Sequence, residues 1–543
     1  MNLWTLKDRA QTLQQAAQDG VELLVIGGGI TGAGVLRDAA QRGLSALLVE
    51  ADDFAGGTSS ATSKMIHGGL RYLAEGQLAV TRQSCVERDR LRQLNPNLVR
   101  DLPFMFCSFK NGVKPWKVRA GLTLYSLLAG FGKGKFSILS RSDVDEFSRD
   151  LRRDGLQTVG MYHDAMVDDA RFVLEVIKAA RRDGAAAVSH AAVTAFEHDK
   201  DSRLAAIQVK DRLTGVTHTI NAQLVVNATG PGVDEIRGLD RSLNKQELRP
   251  AKGVHVTIRR DRVHADAAVA CQAADGRNMF LCPYHDVHLI GTTDTFTGED
   301  DWRDVTWQEV DYLLEAVNRT FPDSRLIRDD VVSVYAGVRP LVAQAGEDKP
   351  PSSVSREHRI TEDASGLISV AGGKLTTFRA MAEELVNRAV QQLPETRRSQ
   401  LASCRTANSA LRQDDFNRDD LVAELHRLYG LEPRHCERLI EAWGSDVLSL
   451  LKDCPSEWRE PIGDSRYLYA EIAWAVQYDC AASLCDILEH RLRMAALSPG
   501  QGLQELDRIA TVAAEAAGWS EERVTQEKTA YREQVKNRYQ VRK

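Results

Sequence analysis

VELLVIGGGITG, residues 21–32, is the stretch that decides the fold of this chain. An apolar run typical of a buried strand leads into the glycines, and a helical pattern follows them. Gly27 permits the tight turn, Gly29 lets the backbone approach a pyrophosphate, and Gly32 lets strand and helix pack closely. The phosphates would then rest on the helix N-terminus. The stretch therefore predicts a dinucleotide site.

A carboxylate follows the next predicted strand, residues 44–49. Glu50 comes roughly 20 residues after the glycine turn, where a carboxylate accepts hydrogen bonds from a ribose diol. This spacing favours an unphosphorylated adenosine ribose. FAD and NAD both fit that requirement, and NADP is disfavoured.

Three further segments favour a flavin over NAD. Residues 56–72 form a loop of small residues that permits close approach of a flat ring, and it carries His67 and Arg71 as a titratable group and a fixed cation. A strand ends in Ala-Thr-Gly at residues 228–230, and another is followed by GGKLTT at residues 372–377. The last helix N-terminus can face the flavin pyrimidine edge and stabilise negative charge there.

The motifs, taken in order, resemble those of a known family. They are GGGITGAG (27–34), TSSATSKMIHGGLRYL (58–73), MVDDARFV (166–173), NATGP (227–231), GTTD (291–294), YAGVRPL (335–341) and GGKLTTFR (372–379). This combination is similar to the FAD-dependent glycerol-3-phosphate dehydrogenase family over roughly residues 20–385. The IHGGLRYL and GVRPL stretches separate that family from the broader amino-acid-oxidase-like group.

The resemblance implies an α/β fold in three parts. These are a GR2-type FAD-binding Rossmann-like domain (20–75, 160–250 and 340–390), an antiparallel-sheet substrate-binding and membrane-facing domain (76–159 and 251–339), and a C-terminal all-helical domain (400–540). Strand-like runs at 253–258, 279–283 and 287–291 agree with the sheet. Helical patterns at 420–428 and 467–492 agree with the last domain.

FAD is the cofactor that the resemblance implies, and the matching motifs supply its contacts. The expected cofactor-binding residues are Gly27, Gly28, Gly29, Gly32, Glu50, Thr58, Ser59, Ser60, Ser63, Lys64, Gly68, Ala228, Thr229, Gly230, Gly372, Gly373, Leu375 and Thr376.

The implied reaction is oxidation of sn-glycerol 3-phosphate at C2 to dihydroxyacetone phosphate. His67 is the candidate base for the C2 hydroxyl proton, although a histidine in a glycine loop can also serve only to bond backbone or flavin. Arg339 is the candidate catalytic cation, which can clamp oxygen pairs or lower the alcohol pKa enough to make a protein base unnecessary. The remaining substrate-binding candidates are Arg71, Tyr72, Lys374 and Arg356.

Composition excludes several other classes of protein. The net charge of -6 gives no global reason to expect nucleic acid. Nine cysteines without a CxxC pair indicate neither a disulfide framework nor a zinc site. The adjacent Asp168 and Asp169 point to different faces, so we interpret them as structural and expect no metal.

A basic segment suggests contact with a membrane. Between Asp101 and Asp143 there is no acidic residue, while lysines and arginines recur, and residues 116–128 predict a helix with Arg119, Thr123 and Ser126 on one stripe. The helix is either interfacial or an ordinary buried one. The resemblance implies peripheral attachment through about residues 110–135 at the cytoplasmic face of the membrane, with a membrane quinone as electron acceptor. The N-terminus lacks a signal-like apolar run, which favours the cytoplasm, and a homodimer stays open.

Three alternatives remain open at this point. A soluble oxidase of the same superfamily would pass the electrons to oxygen. A non-catalytic flavin-binding membrane adaptor would keep its flavin oxidised when sn-glycerol 3-phosphate is added. A NAD-linked dehydrogenase would carry a separate nicotinamide-binding half and would not need the GGKLTT turn.

Overall fold

Strands and helices mix up to residue 390, and the elements described beyond it are all helices. The computed structural model describes residues 3–74, 76–110, 112–130, 136–240, 248–297, 302–342 and 357–542. The strands are β1 (Val21–Ile26), β2 (Ala46–Val49), β3 (Met65–Ile66), β4 (Arg100–Phe109), β5 (Ser137–Ile138), β6 (Leu156–Met166), β7 (Ala186–Val188), β8 (Ala191–His198), β9 (Leu204–Asp211), β10 (Thr217–Asn227), β11 (Ala251–Arg259), β12 (Ala268–Gln272), β13 (Asn278–Tyr284), β14 (Val287–Gly291), β15 (Thr295–Phe296), β16 (Val331–Arg339), β17 (Arg359–Glu362) and β18 (Leu367–Ala371). The helices are α1 (Leu6–Asp19), α2 (Ile30–Arg42), α3 (Leu70–Ala74), α4 (Leu78–Leu94), α5 (Pro115–Leu128), α6 (Arg141–Phe147), α7 (Asp169–Arg182), α8 (Val233–Gly238), α9 (Trp307–Thr320), α10 (Phe378–Val390), α11 (Glu395–Arg398), α12 (Arg418–Tyr429), α13 (Pro433–Trp443), α14 (Val447–Asp453), α15 (Tyr469–Tyr478), α16 (Met494–Leu497), α17 (Leu506–Ala517) and α18 (Glu521–Arg538).

The first sheet has the strand order β17-β18-β10-β1-β2-β7, and the hairpin of β8 and β9 joins it at β10. Strands β18, β10, β1 and β2 run parallel. Toward their carboxyl ends these strands are mostly apolar and buried, as a covered parallel sheet requires. Because parallel strands end at the same edge, the turns that follow these four strands lie side by side there. This edge is where ligands bind in open α/β sheets.

The second sheet has the order β15-β11-β14-β13-β12-β4-β6-β3, with β16 on β11 and β5 on β6. Its pairs are antiparallel except β12 with β4, which run parallel. Since these two strands come from separate segments with much of the first sheet between them, no hairpin connects them, and parallel pairing is open to them. Strands β3 and β6 lie in this sheet although the expected FAD-binding segments include β3 and most of β6. Residues 65–66 and 156–166 thus carry the chain from one sheet to the other.

The helical pattern at residues 467–492 folds as two separate helical stretches. Helix α15 ends at Tyr478, and a π-helical turn over Asp486–Arg491 follows after a break. The break begins at Asp479, whose buried carboxylate accepts a hydrogen bond of 2.7 Å from Lys178 on α7. The helix is therefore interrupted where Asp479 forms an ion pair with Lys178 of α7, although the local sequence pattern is helical.

None of the described helices is long and apolar enough to cross a membrane.

Candidate active site

The glycine turn after β1 leaves no room for side chains. Gly27 has a φ of +107°, which favours glycine, and a Cβ added at Gly32 would lie 1.9 Å from the Gly27 carbonyl oxygen. A Cβ at Gly28 would lie 2.8 Å from Cβ of Glu50. The Glu50 carboxylate accepts from the Gly28 N–H at 2.6 Å and from the Asp52 N–H at 2.8 Å. Turn and carboxylate thus meet as a dinucleotide requires.

A loop over residues 53–60, here called the cofactor loop, covers this turn. The Ala55 N–H donates to the Gly28 carbonyl at 3.0 Å, and Ser59 Oγ accepts from the Ile30 N–H at 3.0 Å at the start of α2. Thr58 Oγ1 donates to the Val338 carbonyl at 2.6 Å. Ser60 Oγ, in contrast, bonds back within the loop to the Gly57 carbonyl at 3.3 Å. The loop therefore joins the glycine turn to the end of β16.

The other two turns of the parallel edge also suit a large ligand. Thr229 Oγ1 donates to Asn227 Oδ1 at 2.7 Å, which fixes the turn after β10. Among the described residues, a Cβ at Gly230 in this turn would meet no atom within 4 Å, and the same holds for Gly57 in the cofactor loop. Both glycines therefore face open space. After β18, Gly372 and Gly373 have φ values of +82° and +97°. This arrangement of glycines and Glu50 fits FAD.

The third turn opens a helix. Leu375–Thr377 form a 3-10 turn that runs into α10, and Thr376 and Thr377 are buried. The free N–H groups of such a helix start favour negative charge in front of them. Ala228, Gly372 and Leu375, expected to hold the cofactor, thus lie at the same edge as the glycine turn.

His67 lies directly after β3 and is held next to this third turn. Its N–H donates to Thr376 Oγ1 at 3.2 Å, and its ring stacks on that of Tyr72 with centroids 6.3 Å apart. Lys374 Nζ lies 3.8 Å from the centroid of the same Tyr72 ring. The structure therefore brings together His67, Tyr72, Lys374 and Thr376. His67 and Thr376 are 309 residues apart in the sequence.

Gly68 fixes the peptide after His67. Its N–H donates to Asp164 Oδ1 at 3.1 Å, and that buried carboxylate also accepts from Arg88 at 2.7 Å and from Tyr125 Oη at 2.7 Å. A Cβ at Gly68 would lie 2.3 Å from Tyr125 Oη. Arg71 belongs to α3, and its proposed substrate contact remains a prediction. Arg356 lies outside the described residues.

Arg339 ends β16 and is paired with the GTTD motif. Its guanidinium donates to Asp294 Oδ1 at 2.9 Å and to Thr292 Oγ1 at 3.1 Å. A Cβ at Gly253 would lie 2.4 Å from its Nη2 atom, so only glycine allows the guanidinium this position. The structure therefore places Arg339 beside the cofactor loop, whose Thr58 binds the neighbouring residue Val338.

Lys64 and the two adjacent aspartates form a buried charge cluster. Lys64 Nζ donates to Asp169 Oδ1 at 2.6 Å, and both side chains have 0% exposure. Asp168 caps α7 by accepting from the Arg171 N–H at 3.1 Å. Asp168 and Asp169 thus serve as a helix cap and as an ion-pair partner. The Lys64 side chain is occupied by this pair, and its backbone N–H and carbonyl bond to Thr62 and Val167, so the cofactor contact expected for Lys64 stays a prediction.

His255 is a site residue that the sequence motifs missed. Its Nε2 atom is hydrogen-bonded to Ser63 Oγ at 2.7 Å, and its ring stacks on Tyr335 with centroids 4.9 Å apart. Burial, with Arg339 and Lys64 nearby, lowers the pKa of His255 to about 3. It is therefore neutral at physiological pH and orients Ser63 as a hydrogen-bonding partner. A histidine within the apolar run of β11 was the one available signal.

Two buried imidazoles make the fold sensitive to acid. Burial lowers the pKa of His255 to about 3 and that of His288 to about 4, whereas an imidazole in an unfolded chain titrates near about 6.5. Because the folded values are the lower ones, the stabilisation is complete above about pH 6.5 and is lost as the pH falls below it. We expect the free energy of unfolding to drop by about 2 kcal/mol per histidine between pH 7 and pH 5.

Thermal unfolding midpoints measured from pH 7 to pH 5 check this expectation. His288→Gln keeps a donor for the Val263 carbonyl, which His288 Nε2 contacts at 2.9 Å, and should flatten the dependence. An equal slope in the wild type and the variant would contradict the assignment.

The comparisons with known proteins agree with this geometry. Residues 22–388 match the family model described as FAD dependent oxidoreductase, and residues 404–524 match the C-terminal domain of alpha-glycerophosphate oxidase. The aerobic glycerol-3-phosphate dehydrogenase of Staphylococcus haemolyticus is 37% identical over 481 residues, 87% of this chain and 86% of the relative. The glycerol-3-phosphate dehydrogenase of Mycobacterium leprae is 35% identical over 543 residues, 97% of this chain and 90% of the relative.

A solved structure covers the same extent. The glycerol-3-phosphate dehydrogenase of Bacillus halodurans complexed with FAD aligns with a TM-score of 0.80 at 31% identity, over 99% of this chain and 100% of that chain. The three-part fold class and the FAD cofactor expected from the motifs are thereby confirmed. By its sequence, its architecture and the turns at its parallel edge, the chain belongs to the family of FAD-dependent glycerol-3-phosphate dehydrogenases.

Proposed function

We propose that the protein oxidises sn-glycerol 3-phosphate at C2 to dihydroxyacetone phosphate. The observation that carries the proposal is the bond from the His67 main-chain N–H to Thr376, because it holds His67 beside the turn that would face the flavin. When bound at the parallel edge, FAD supplies the hydride acceptor. Its holders would be the glycine turn, Glu50, the cofactor loop, and the turns after β10 and β18.

The chain's own residues then perform three tasks. His67 takes the proton from the C2 hydroxyl, which is the work of a general base within hydrogen-bond reach. Arg339 stabilises the negative charge that develops on that oxygen as the proton leaves. Lys374 and Tyr72 bind the phosphate dianion together with Arg71 and Arg356.

Substrate specificity gives the first test. In a dye-coupled assay, sn-glycerol 3-phosphate should be oxidised and yield dihydroxyacetone phosphate, while glycerol, which lacks the phosphate, should be a poor substrate. The phosphate is a dianion that only paired cations can hold, so its loss removes most of the binding energy. Equal rates with glycerol would contradict the proposed roles of the cationic residues.

Attachment to a membrane surface is part of the same proposal, and α5 supports it. Trp116, Leu124 and Leu127 are exposed at 62%, 39% and 47%, whereas Leu122 and Tyr125 are buried against the second sheet. Exposed aromatic and aliphatic side chains next to lysines are typical of a helix that lies in the headgroup region.

The residues of the predicted polar stripe differ in exposure. Arg119 and Thr123 are exposed as expected, but Ser126 is buried with 3% exposure. The face of α5 that packs on the protein includes Ser126 together with Leu122 and Tyr125, so fewer apolar side chains are left for lipid than the sequence suggested. Lys133 and Lys135 lie outside the described residues.

The double variant Trp116→Ser/Leu127→Ser should lose most of its binding to anionic phospholipid vesicles. Each change removes exposed apolar surface that would be buried in lipid, at about 1.5–3 kcal/mol per side chain, so we expect at least a tenfold drop in partitioning. Vesicle co-sedimentation measures it. Leu213→Ser/Val216→Ser removes comparably exposed apolar side chains elsewhere, at 41% and 52%, and is the control. Equal losses in both double variants would contradict a specific membrane surface.

The electron acceptor is proposed to be a membrane quinone at the cytoplasmic face, which the exposed apolar side chains of α5 favour. The oxygen-using alternative stands beside it because residues 404–524 match a domain named for alpha-glycerophosphate oxidase. Reoxidation separates the two. A reduced protein that returns to the oxidised state with a quinone analogue and only slowly in air supports the quinone, and fast return in air supports oxygen.

A further inference from the structure

The outer side of the cofactor loop is held by basic side chains from the C-terminal helical segment. Arg491 binds Asp53 through two hydrogen bonds of 2.6 Å and 2.9 Å, and His490 Nδ1 lies 2.7 Å from the same carboxylate. Arg538 donates to the Gly56 carbonyl at 3.3 Å. Arg493 donates to the carbonyl of Ser60, at the end of the loop. These four basic residues, His490, Arg491, Arg493 and Arg538, are here called the anchor residues.

The contacts are buried and involve charge. Arg491 and Arg493 are exposed at 1% and 2%, and Asp53 at 3%. Burial alone would raise the pKa of Asp53, but Arg491 and His490 outweigh it and hold that pKa well below its ordinary value. Charge-assisted hydrogen bonds in such surroundings are among the strongest in proteins, and breaking one leaves an uncompensated buried charge. The outer side of the loop therefore has little freedom to move.

The inner side of the same loop forms a wall of the dinucleotide site. Ala55 and Ser59 bond to the glycine turn and the start of α2, and Thr58 bonds to β16. The loop thus lies between the C-terminal helical segment and the place where FAD fits. A displacement of the loop would remove contacts from both at once.

We propose that the anchor residues, through the cofactor loop, retain FAD: they hold the loop in its binding conformation and so set how slowly FAD dissociates. This gives the C-terminal helical segment a task in cofactor retention that is separate from substrate chemistry. Because dissociation of FAD is measured without any substrate, the outcome does not depend on the proposed function.

Arg538→Met is the first variant to test. Arg538 also pairs with Glu489 at 3.0 Å, and Glu489 keeps a hydrogen bond of 2.9 Å from Tyr539 in its absence, so the helix end stays supported. Arg523→Met on the same helix is the matched control, because Arg523 pairs with Glu527 and has no contact with the loop among the described residues. After dilution of the holoenzyme, the rise of free-flavin fluorescence gives the dissociation rate of FAD.

We expect Arg538→Met to release FAD at least tenfold faster than the wild type, with the Arg523→Met rate unchanged. Rates within twofold of each other in all three proteins would overturn the proposal. Arg491→Lys adds a second position, since a lysine keeps the charge but loses one of the two bonds to Asp53, and it should also release FAD faster.

Amide hydrogen exchange of the wild type provides an independent measurement and also decides the matter if a variant does not fold. If the anchor residues and FAD hold the loop from opposite sides, removal of FAD should speed exchange in residues 53–60 and in residues 486–493. Faster exchange in the loop alone, with residues 486–493 unaffected, would contradict the coupling.

Discussion

Arg339→Met is expected to lower kcat/KM for sn-glycerol 3-phosphate by about 10³-fold while FAD content stays near one per chain. The guanidinium of Arg339 is fixed by Asp294 and Thr292 at 2.9 Å and 3.1 Å, so its charge is already oriented before substrate arrives. Its removal takes away the cation for the developing oxyanion and leaves the nearly buried Asp294 carboxylate without this partner. Both effects act against a negatively charged transition state.

Steady-state kinetics with a dye acceptor and the flavin absorbance of the purified protein check this prediction. Arg339→Lys keeps the positive charge but not the planar pair of donors, and it should fall between the wild type and Arg339→Met. Arg262→Met is the control, because Arg262 pairs with Asp330 at 2.6 Å on the outside of the second sheet. A loss below tenfold in Arg339→Met at full FAD content would exclude a catalytic role for Arg339.

His67→Gln is expected to slow reduction of the bound flavin by about 10³-fold, within the range that general bases contribute. Glutamine can keep the hydrogen bonding of an imidazole but cannot accept the hydroxyl proton. The contact of His67 with Thr376 should survive because it uses the main-chain N–H. The segment around His67 therefore stays in place.

Rapid mixing of the anaerobic protein with sn-glycerol 3-phosphate measures the reduction rate directly. His198→Gln is the control, because His198 pairs with Asp240 at 3.2 Å in the hairpin region of the first sheet. If His67→Gln retains more than about a tenth of the rate, far above what loss of a general base leaves, activation by Arg339 alone is sufficient and the base role of His67 is wrong.

The dinucleotide edge was predictable because its signals are local. Strand β1 begins and ends at the residues expected for it, and β2 ends at the expected Val49 but begins at Ala46. A short apolar run that ends in glycine and is followed by a helical pattern indicates a strand, a tight turn and a helix, and this pattern can be recognised without knowing any distant contact. The three turns were expected to belong to one dinucleotide domain, and the strands before them, β1, β10 and β18, are neighbours in the sheet.

The ion pairs between distant segments were not predictable from the sequence. Lys64 was expected to contact the cofactor, but its side chain pairs with Asp169, 105 residues away. His255 carries no motif, and its contact with Ser63 spans 192 residues. Within the π-helical turn over Asp486–Arg491, the side chains of His490 and Arg491 likewise contact the distant Asp53. Such contacts are selected by tertiary packing, which leaves no periodic pattern in the sequence.

The most direct test of the central claim is the flavin spectrum of the anaerobic protein before and after addition of sn-glycerol 3-phosphate. The proposed function predicts that the oxidised flavin band bleaches with one equivalent of substrate and that dihydroxyacetone phosphate appears in the same amount. A protein that holds FAD but keeps its oxidised band in the presence of excess substrate would contradict the assignment of sn-glycerol 3-phosphate.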